Sequence, residues 1–214
     1  MQSAGTLFIV SAPSGAGKTS LLRAIAEELD NFAISVSTTT RPMREGEIDG
    51  VHYHYTDVDG FRARIADGEF IEYAEVFGNY YGTSIKTVQD ALARGTDLVL
   101  EIDWQGAQIV RDRLPECTSI FILPPSKEAL QKRLEGRGQD NAVVIANRMS
   151  KAMAEISHYN EYEYVVINDD FDIAKDELRA IIIAQRLKLE KQQQRRYQQT
   201  KPVPDHPLPI SFPD

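Results

Sequence analysis

The segment Ala12-Pro13-Ser14-Gly15-Ala16-Gly17-Lys18-Thr19 restricts this 214-residue chain more than any other. It follows an apolar run, Leu7-Phe8-Ile9-Val10, and precedes a stretch in which Leu21, Leu22, Ile25 and Leu29 share one helical face. A strand that turns through glycines into a helix leaves successive backbone N–H groups facing an anion, and the helix N-terminus adds partial positive charge. The P-loop pattern asks for Gly, four residues, then Gly-Lys-Ser/Thr. Ala12 stands where the first glycine would, so the pattern is missed by one methyl group, while Gly15, Gly17, Lys18 and Thr19 are in place. In a loop of this kind Lys18 reaches the β- and γ-phosphates and Thr19 offers its hydroxyl directly to Mg2+. The loop predicts a nucleoside triphosphate and leaves the acceptor of the phosphoryl group open.

Further apolar runs read as strands covered on both faces: Leu98-Val99-Leu100, Ile120-Phe121-Ile122-Leu123, Val165-Val166-Ile167 and the weaker Ala33-Ile34-Ser35-Val36. Between them Ala107, Val110 and Leu114 share a helical face, as do Leu178, Ile181 and Ile182. This alternation predicts a parallel α/β sheet. Residues 38–96 break it with short mixed segments, Tyr53-His54-Tyr55 and Phe70-Ile71-Glu72-Tyr73, and a helix from an N-cap at Ser84 to Arg94, stopped by Gly95. They read as a small α+β insertion. Gly136-Arg137-Gly138-Gln139-Asp140 separates two helices.

Composition excludes several classes. The net charge of −8 disfavours general nucleic-acid binding, although residues 185–201 carry six basic and one acidic side chain, a local +5. That stretch reads as a solvated helix end, followed by a tail with five prolines between Pro202 and Pro213. No apolar run is long enough to span a bilayer, and no secretory pattern opens the chain. The lone Cys117 cannot form an internal disulfide and reads as a buried small hydrophobe in a cytoplasmic protein. His52, His54, His158 and His206 lack metal-ligand spacing.

The run Ser35-Val36-Ser37-Thr38-Thr39-Thr40-Arg41-Pro42-Met43-Arg44-Glu45-Gly46-Glu47, then Gly50-Val51-His52-Tyr53, Gly68-Glu69-Phe70-Ile71-Glu72-Tyr73 and Gly78-Asn79-Tyr80-Tyr81-Gly82-Thr83-Ser84, closely resembles the guanylate kinase family of the bacterial type. The resemblance extends from about Gly5 to about Ala184. It implies an α/β fold: a P-loop nucleoside-monophosphate-kinase-like parallel sheet with helices on both faces, a small α+β GMP-binding insertion and a short lid. The expected domain spans residues 5–184, with core 5–37 and 97–190, insertion 38–96, lid about 136–148, and a basic helix end and proline-rich tail over 185–214. The implied activity is transfer of the γ-phosphoryl group of ATP to GMP, and to dGMP, with Mg2+, in purine nucleotide metabolism. A non-catalytic guanylate-kinase-like module that binds protein partners is the alternative; it would be expected to lack Lys18 or the GMP arginines. The oligomeric state stays open.

The chemistry of the acceptor segment agrees. Arg41 and Arg44 can fork onto phosphate oxygens, and Tyr53 and Tyr81 can add phenolic donors. Glu47 is counted with them. Glu72 matches the family residue that accepts from guanine N1–H and N2–H2, and Ser37 and Thr83 match hydroxyls that bond the base. Glu101 and Asp103, two apart at the end of the strand at 98–100, are expected to project from one side of it into the crevice and to hold Mg2+ through water. Glu101 stands where family members often have Asp. Arg133, Arg137 and Arg148 match the lid that closes over ATP, and Asn168 matches a segment near adenine, although it could instead cap the next helix.

Overall fold

The computed structural model describes residues 4–76, 78–136 and 142–199. A five-stranded parallel sheet carries the molecule. Strand β1 (Leu7–Ser11) runs into the loop and helix α1 (Lys18–Glu28), and the chain returns as β2 (Phe32–Ile34). Next comes the insertion: β3 (Thr38–Thr39), β4 (His54–Tyr55), α2 (Val58–Ala66), β5 (Phe70–Val76) and β6 (Asn79–Ser84). The remainder alternates: α3 (Ile85–Ala93), β7 (Asp97–Glu101), α4 (Trp104–Arg113), β8 (Thr118–Leu123), α5 (Lys127–Glu135), α6 (Ala142–Ile156), β9 (Tyr164–Ile167), α7 (Phe171–Arg186) and α8 (Leu189–Gln199). The order across the sheet is β2-β7-β1-β8-β9, with every pair parallel.

Continuous apolarity in the strands has the expected cause. Along β1, Phe8 and Val10 join one buried cluster with α1 and α7, while Leu7 and Ile9 join another with α3 and α4. In β7, Val99 faces the first cluster and Leu98 and Leu100 the second. Successive strand side chains point to opposite faces, and helices cover both, so alternation would have left polar groups in a core. Leu21, Leu22 and Ile25 of α1 and Leu178 and Ile182 of α7 are buried, as their periodicity predicts. The strand expected at residues 33–36 lies at Phe32–Ile34; a last bond from Ser35 N to Val99 O (2.9 Å) precedes its departure into the insertion.

The insertion has its own mixed sheet, ordered β4-β3-β6-β5. Phe61 of α2 is buried and stacks on Phe70 and Tyr80. Helix α3 is capped by Ser84, as expected, and packs Val88 and Ala91 with Leu98 and Leu100 of β7, so its apolar face belongs to the main core. Gly95 follows it at φ 74°.

The basic stretch has structural uses at its start. Arg186 Nε bonds buried Asp97 (2.6 Å), which also accepts from Thr6 N (2.6 Å), and Lys191 Nζ bonds the carbonyls of Ala4 and Gly5 (2.8 and 3.0 Å). Cys117 is buried, which pushes its thiol up to about 11. Among the described residues no helix is long and apolar enough to cross a membrane.

Candidate active site

The phosphate loop leaves β1 at its carboxyl end and enters α1 at Lys18. Gly15 and Gly17 take φ 92° and 95°, a region that side chains resist. Gly17 is doubly constrained, because a Cβ there would collide with Asn168 Nδ2. Ala12 causes no difficulty. Among the described residues the only non-glycine with positive φ is Asn31, and Ala12 packs against the core cluster beneath the loop. The missing first glycine is therefore a position that tolerates a methyl group.

Glu101 ends β7 and accepts a hydrogen bond from the Thr19 hydroxyl, with Lys18 Nζ 4.0 Å from its Oε1. The expectation that Glu101 and Asp103 project from one strand is corrected. The strand stops at Glu101, and Asp103 is the N-cap of α4, its Oδ1 accepting from Gly106 N at 2.9 Å. A helix start needs an acceptor for its free N–H groups, and that need outweighs continuing the strand. Both carboxylates still reach the crevice. A hydroxyl beside a carboxylate, at the mouth of a phosphate loop, is a donor set that fits Mg2+, which keeps several waters and takes one or two carboxylates. No cluster of three His, Cys, Asp or Glu side chains suited to a dedicated metal cage occurs among the described residues.

Glu72 lies on β5, only 4% exposed, opposite Thr83 on β6. Burial raises its carboxyl to about 7; Asp103 adds to the rise, and the Thr83 hydrogen bond opposes it. Gly106 in the first turn of α4 makes room for it: a Cβ there would lie 2.9 Å from Glu72 Oε2. Ser37, Tyr53 and Tyr81 line the same space. Arg41 stands over the Tyr53 ring at 5.4 Å, and its Nη2 bonds Glu47 Oε1 at 2.7 Å. Glu47 also accepts from Arg44 N (2.7 Å) and Tyr55 OH (2.8 Å), and Arg41 holds its carboxyl down to about 2. Glu47 thus anchors Arg41. Arg44 is exposed.

The loop is braced by residues distant in the chain. Asn168 is buried, donates to Ala16 O (2.7 Å), and its own carbonyl accepts from Arg133 Nη2 (2.8 Å). It does not cap α7, a task performed by Asp170, which accepts from Asp172 N and Ile173 N. Arg148 Nη2 bonds Ser14 Oγ at 3.0 Å, bringing α6 onto the loop. Arg137 lies outside the described residues. Sequence reasoning misses Glu155. It lies seven residues after Arg148, two turns along α6, and lines the crevice beside Lys18; that spacing is the one signal that could have found it. Gly106 is missed too, because nothing local marks a glycine that accommodates a residue thirty-four positions earlier.

Lys18, Ser37, Tyr53, Glu72, Tyr81, Glu101, Asp103 and Glu155 face one open crevice of about 190 Å3 at the carboxyl ends of the parallel strands. That is where open α/β sheets bind ligands. A larger cavity of about 660 Å3 lies by Leu7, where β1 starts, and holds none of these groups.

Comparison with known proteins agrees with this arrangement. The profile of the family described as guanylate kinase matches residues 4–185. A guanylate kinase of Vibrio cholerae serotype O1 is 60% identical over 190 residues, covering 88% of this chain and 92% of that one. One from Alkalilimnicola ehrlichii is 57% identical over 189 residues, covering 88% and 93%. The crystal structure of guanylate kinase from Anaplasma phagocytophilum is similar at a TM-score of 0.71 and 36% identity, covering 88% of this chain and 90% of that one. With likeness over nearly the whole folded body, and a phosphate loop facing a buried carboxylate across one crevice, this chain belongs to the guanylate kinase family.

Proposed function

We propose that this protein transfers the γ-phosphoryl group of ATP to GMP, and to dGMP, giving ADP and GDP or dGDP, in the cytoplasm. The observation that carries the reading is a single crevice lined by Lys18 at one side and Glu72 at the other. A donor triphosphate on the loop and a guanine on the carboxylate then meet between them.

The loop amides and Lys18 hold the β- and γ-phosphates of ATP. The residues fit Mg2+: Thr19 would hold it directly, and Glu101 and Asp103 through water. When bound, the ion neutralises charge on the phosphate oxygens. Arg41, Arg44, Tyr53 and Tyr81 take the GMP phosphate. An oxygen of that phosphate attacks the γ-phosphorus as the bond to the β–γ bridging oxygen breaks, and ADP leaves. The nucleophile is already anionic, so no general base is needed. Arg148, with Arg137 and Arg133, offsets charge as two polyanions meet.

Glu72 accepts from guanine N1–H and N2–H2. The Thr83 hydroxyl donates to Glu72, which leaves Ser37 to donate to O6. Adenine would turn a lone pair at N1 toward the carboxylate, and an unpaired buried polar group costs about 1–3 kcal/mol, more when charged. The non-catalytic reading is disfavoured because Lys18, Thr19, Arg41 and Arg44 are all present. The test is a coupled assay with ATP and Mg2+ across AMP, GMP, CMP and UMP. Turnover of GMP with little of the other three is expected; equal use of AMP would remove Glu72 as the discriminating group.

A further inference from the structure

Glu155 is used by none of these steps, yet it stands in the crevice with Lys18 and Asp103. Its Oε2 is sealed from solvent and has no hydrogen-bond partner among the described residues. Burial raises its carboxyl above the usual carboxylate range and the Asp103 charge adds to this, while the Lys18 ammonium and the Ser14 backbone N–H oppose the rise. A carboxylate in this position faces the cation and amide that a triphosphate would use.

Helix α6 carries Glu155 and Arg148 two turns apart, and both are directed at the phosphate loop. Past Glu155 the helix ends in a turn, where His158 N bonds Glu155 O at 3.2 Å. The His158 ring stacks on Trp104, with centroids 3.7 Å apart and planes 7° apart. Trp104 follows Asp103, the cap of α4 beside Glu72. The helix therefore reaches the phosphate loop with its side chains, and the turn after it packs on Trp104 at the start of α4.

We infer that Glu155 is a positioning residue that stands in for phosphate at the loop, so that an arriving triphosphate repels it and shifts α6, coupling donor binding to the Trp104 end of α4. The inference rests on the donor-site reading above. Like charges repel, and in this inference the helix that carries Glu155 gives way. Arg148, with the opposite charge, stays with the phosphates, so the same shift draws the helix around its arginine. Part of the triphosphate's binding free energy goes into moving the helix, which ties closure to a loaded loop.

The test uses the full chain and the non-hydrolysable analogue AMP-PNP with Mg2+, in equilibrium titration of wild type and Glu155→Gln. Removing one opposing charge at a partly screened site should tighten analogue binding about threefold to tenfold. The Kd for GMP should stay within about twofold, since Glu155 makes no proposed contact with the base. Trp104 is the only tryptophan, so its fluorescence reports the helix end. Wild type should show a saturable change on titration. Glu155→Gln should start near the bound signal and lose at least about half the amplitude, as expected when the restraint on a two-state element is removed. A merely structural role would weaken binding instead. Unchanged or weaker analogue binding by folded Glu155→Gln overturns the inference. Should that variant fail to fold, Glu155→Asp carries the test: the shorter side chain retreats from the loop, and binding no tighter than wild type overturns the inference equally. Wild type that phosphorylates GMP while neither variant tightens loses only the coupling; wild type that neither binds the analogue nor uses GMP loses the donor-site reading as well.

Discussion

Glu72 and Thr83 face each other across β5 and β6, and the Thr83 hydroxyl donates to Glu72 Oε1 at 2.5 Å. That bond favours the carboxylate, yet burial and Asp103 win and raise the group to about 7. The proposed guanine contact needs the ionised form. GMP use should therefore depend on pH in a range where most carboxylates are inert. As pH falls below about 7 the apparent KM for GMP should climb, approaching tenfold per unit once the acid predominates, while the KM for ATP changes little. Steady-state assays from pH 5.5 to 8.5 check this. A flat profile would mean that Glu72 stays charged throughout. Glu47, held near 2 by Arg41, is ionised over the whole range and contributes nothing to the trend.

The same carboxyl group has a consequence for stability. Its folded pKa lies above the unfolded value of 4.5, so its contribution is fully present below about 4.5 and is lost as pH rises through about 7. Above that, ionising a buried acid opposes folding by an amount of order 3 kcal/mol. Glu72→Gln mimics the neutral acid. It should melt higher than wild type at pH 8 and no higher near pH 4, while its KM for GMP rises by about 10- to 100-fold. Denaturant unfolding at the two pH values separates the effects.

Gly106→Ala tests how closely the Glu72 carboxylate, proposed to read the base, is held. Alanine suits a helix better than glycine by about 1 kcal/mol, so stability should hold or rise. The new methyl would lie 2.9 Å from Glu72 Oε2, forcing the carboxylate to move. The KM for GMP should increase about 5- to 20-fold with the KM for ATP unchanged. An unaltered KM for GMP would show that the carboxylate shifts without penalty.

Glu47→Ala removes the anchor of Arg41, Arg44 N and Tyr55 OH together. The turn proposed to hold the GMP phosphate then loses its preorganisation. The KM for GMP should rise about tenfold, and kcat should change less than KM. A larger loss in kcat than in KM would place Glu47 in the transfer step itself.

Lys18→Met should leave the fold intact, since among the described residues its ammonium has no ion-pair partner nearer than Glu101 at 4.0 Å. It should lower kcat by about 100-fold or more, the scale of removing a preorganised charge from a developing phosphoryl charge. Circular dichroism and melting establish the fold, and the coupled assay gives the rate.

Most of the fold is legible along the chain because it is written in local patterns. Leu7–Val10, Leu98–Leu100 and Ile120–Leu123 are unbroken apolar runs, as strands covered on both faces require. Gly15, Gly17, Lys18 and Thr19 are close in sequence, so the residues alone specify their loop. Ser84 and Gly95 mark the ends of α3 by rules that act within one turn. The rest depends on residues far apart in the chain. The tie between Asn168 and Ala16, the reach of Arg148 to Ser14, and the gap that Gly106 leaves for Glu72 arise only when packing brings distant segments together. Asp103 shows the limit most sharply. Period-two spacing places it on a strand with Glu101, but the unsatisfied N–H groups at the start of α4 claim its side chain. Periodicity specifies which face of an element is buried; what that face meets is set by the surrounding elements.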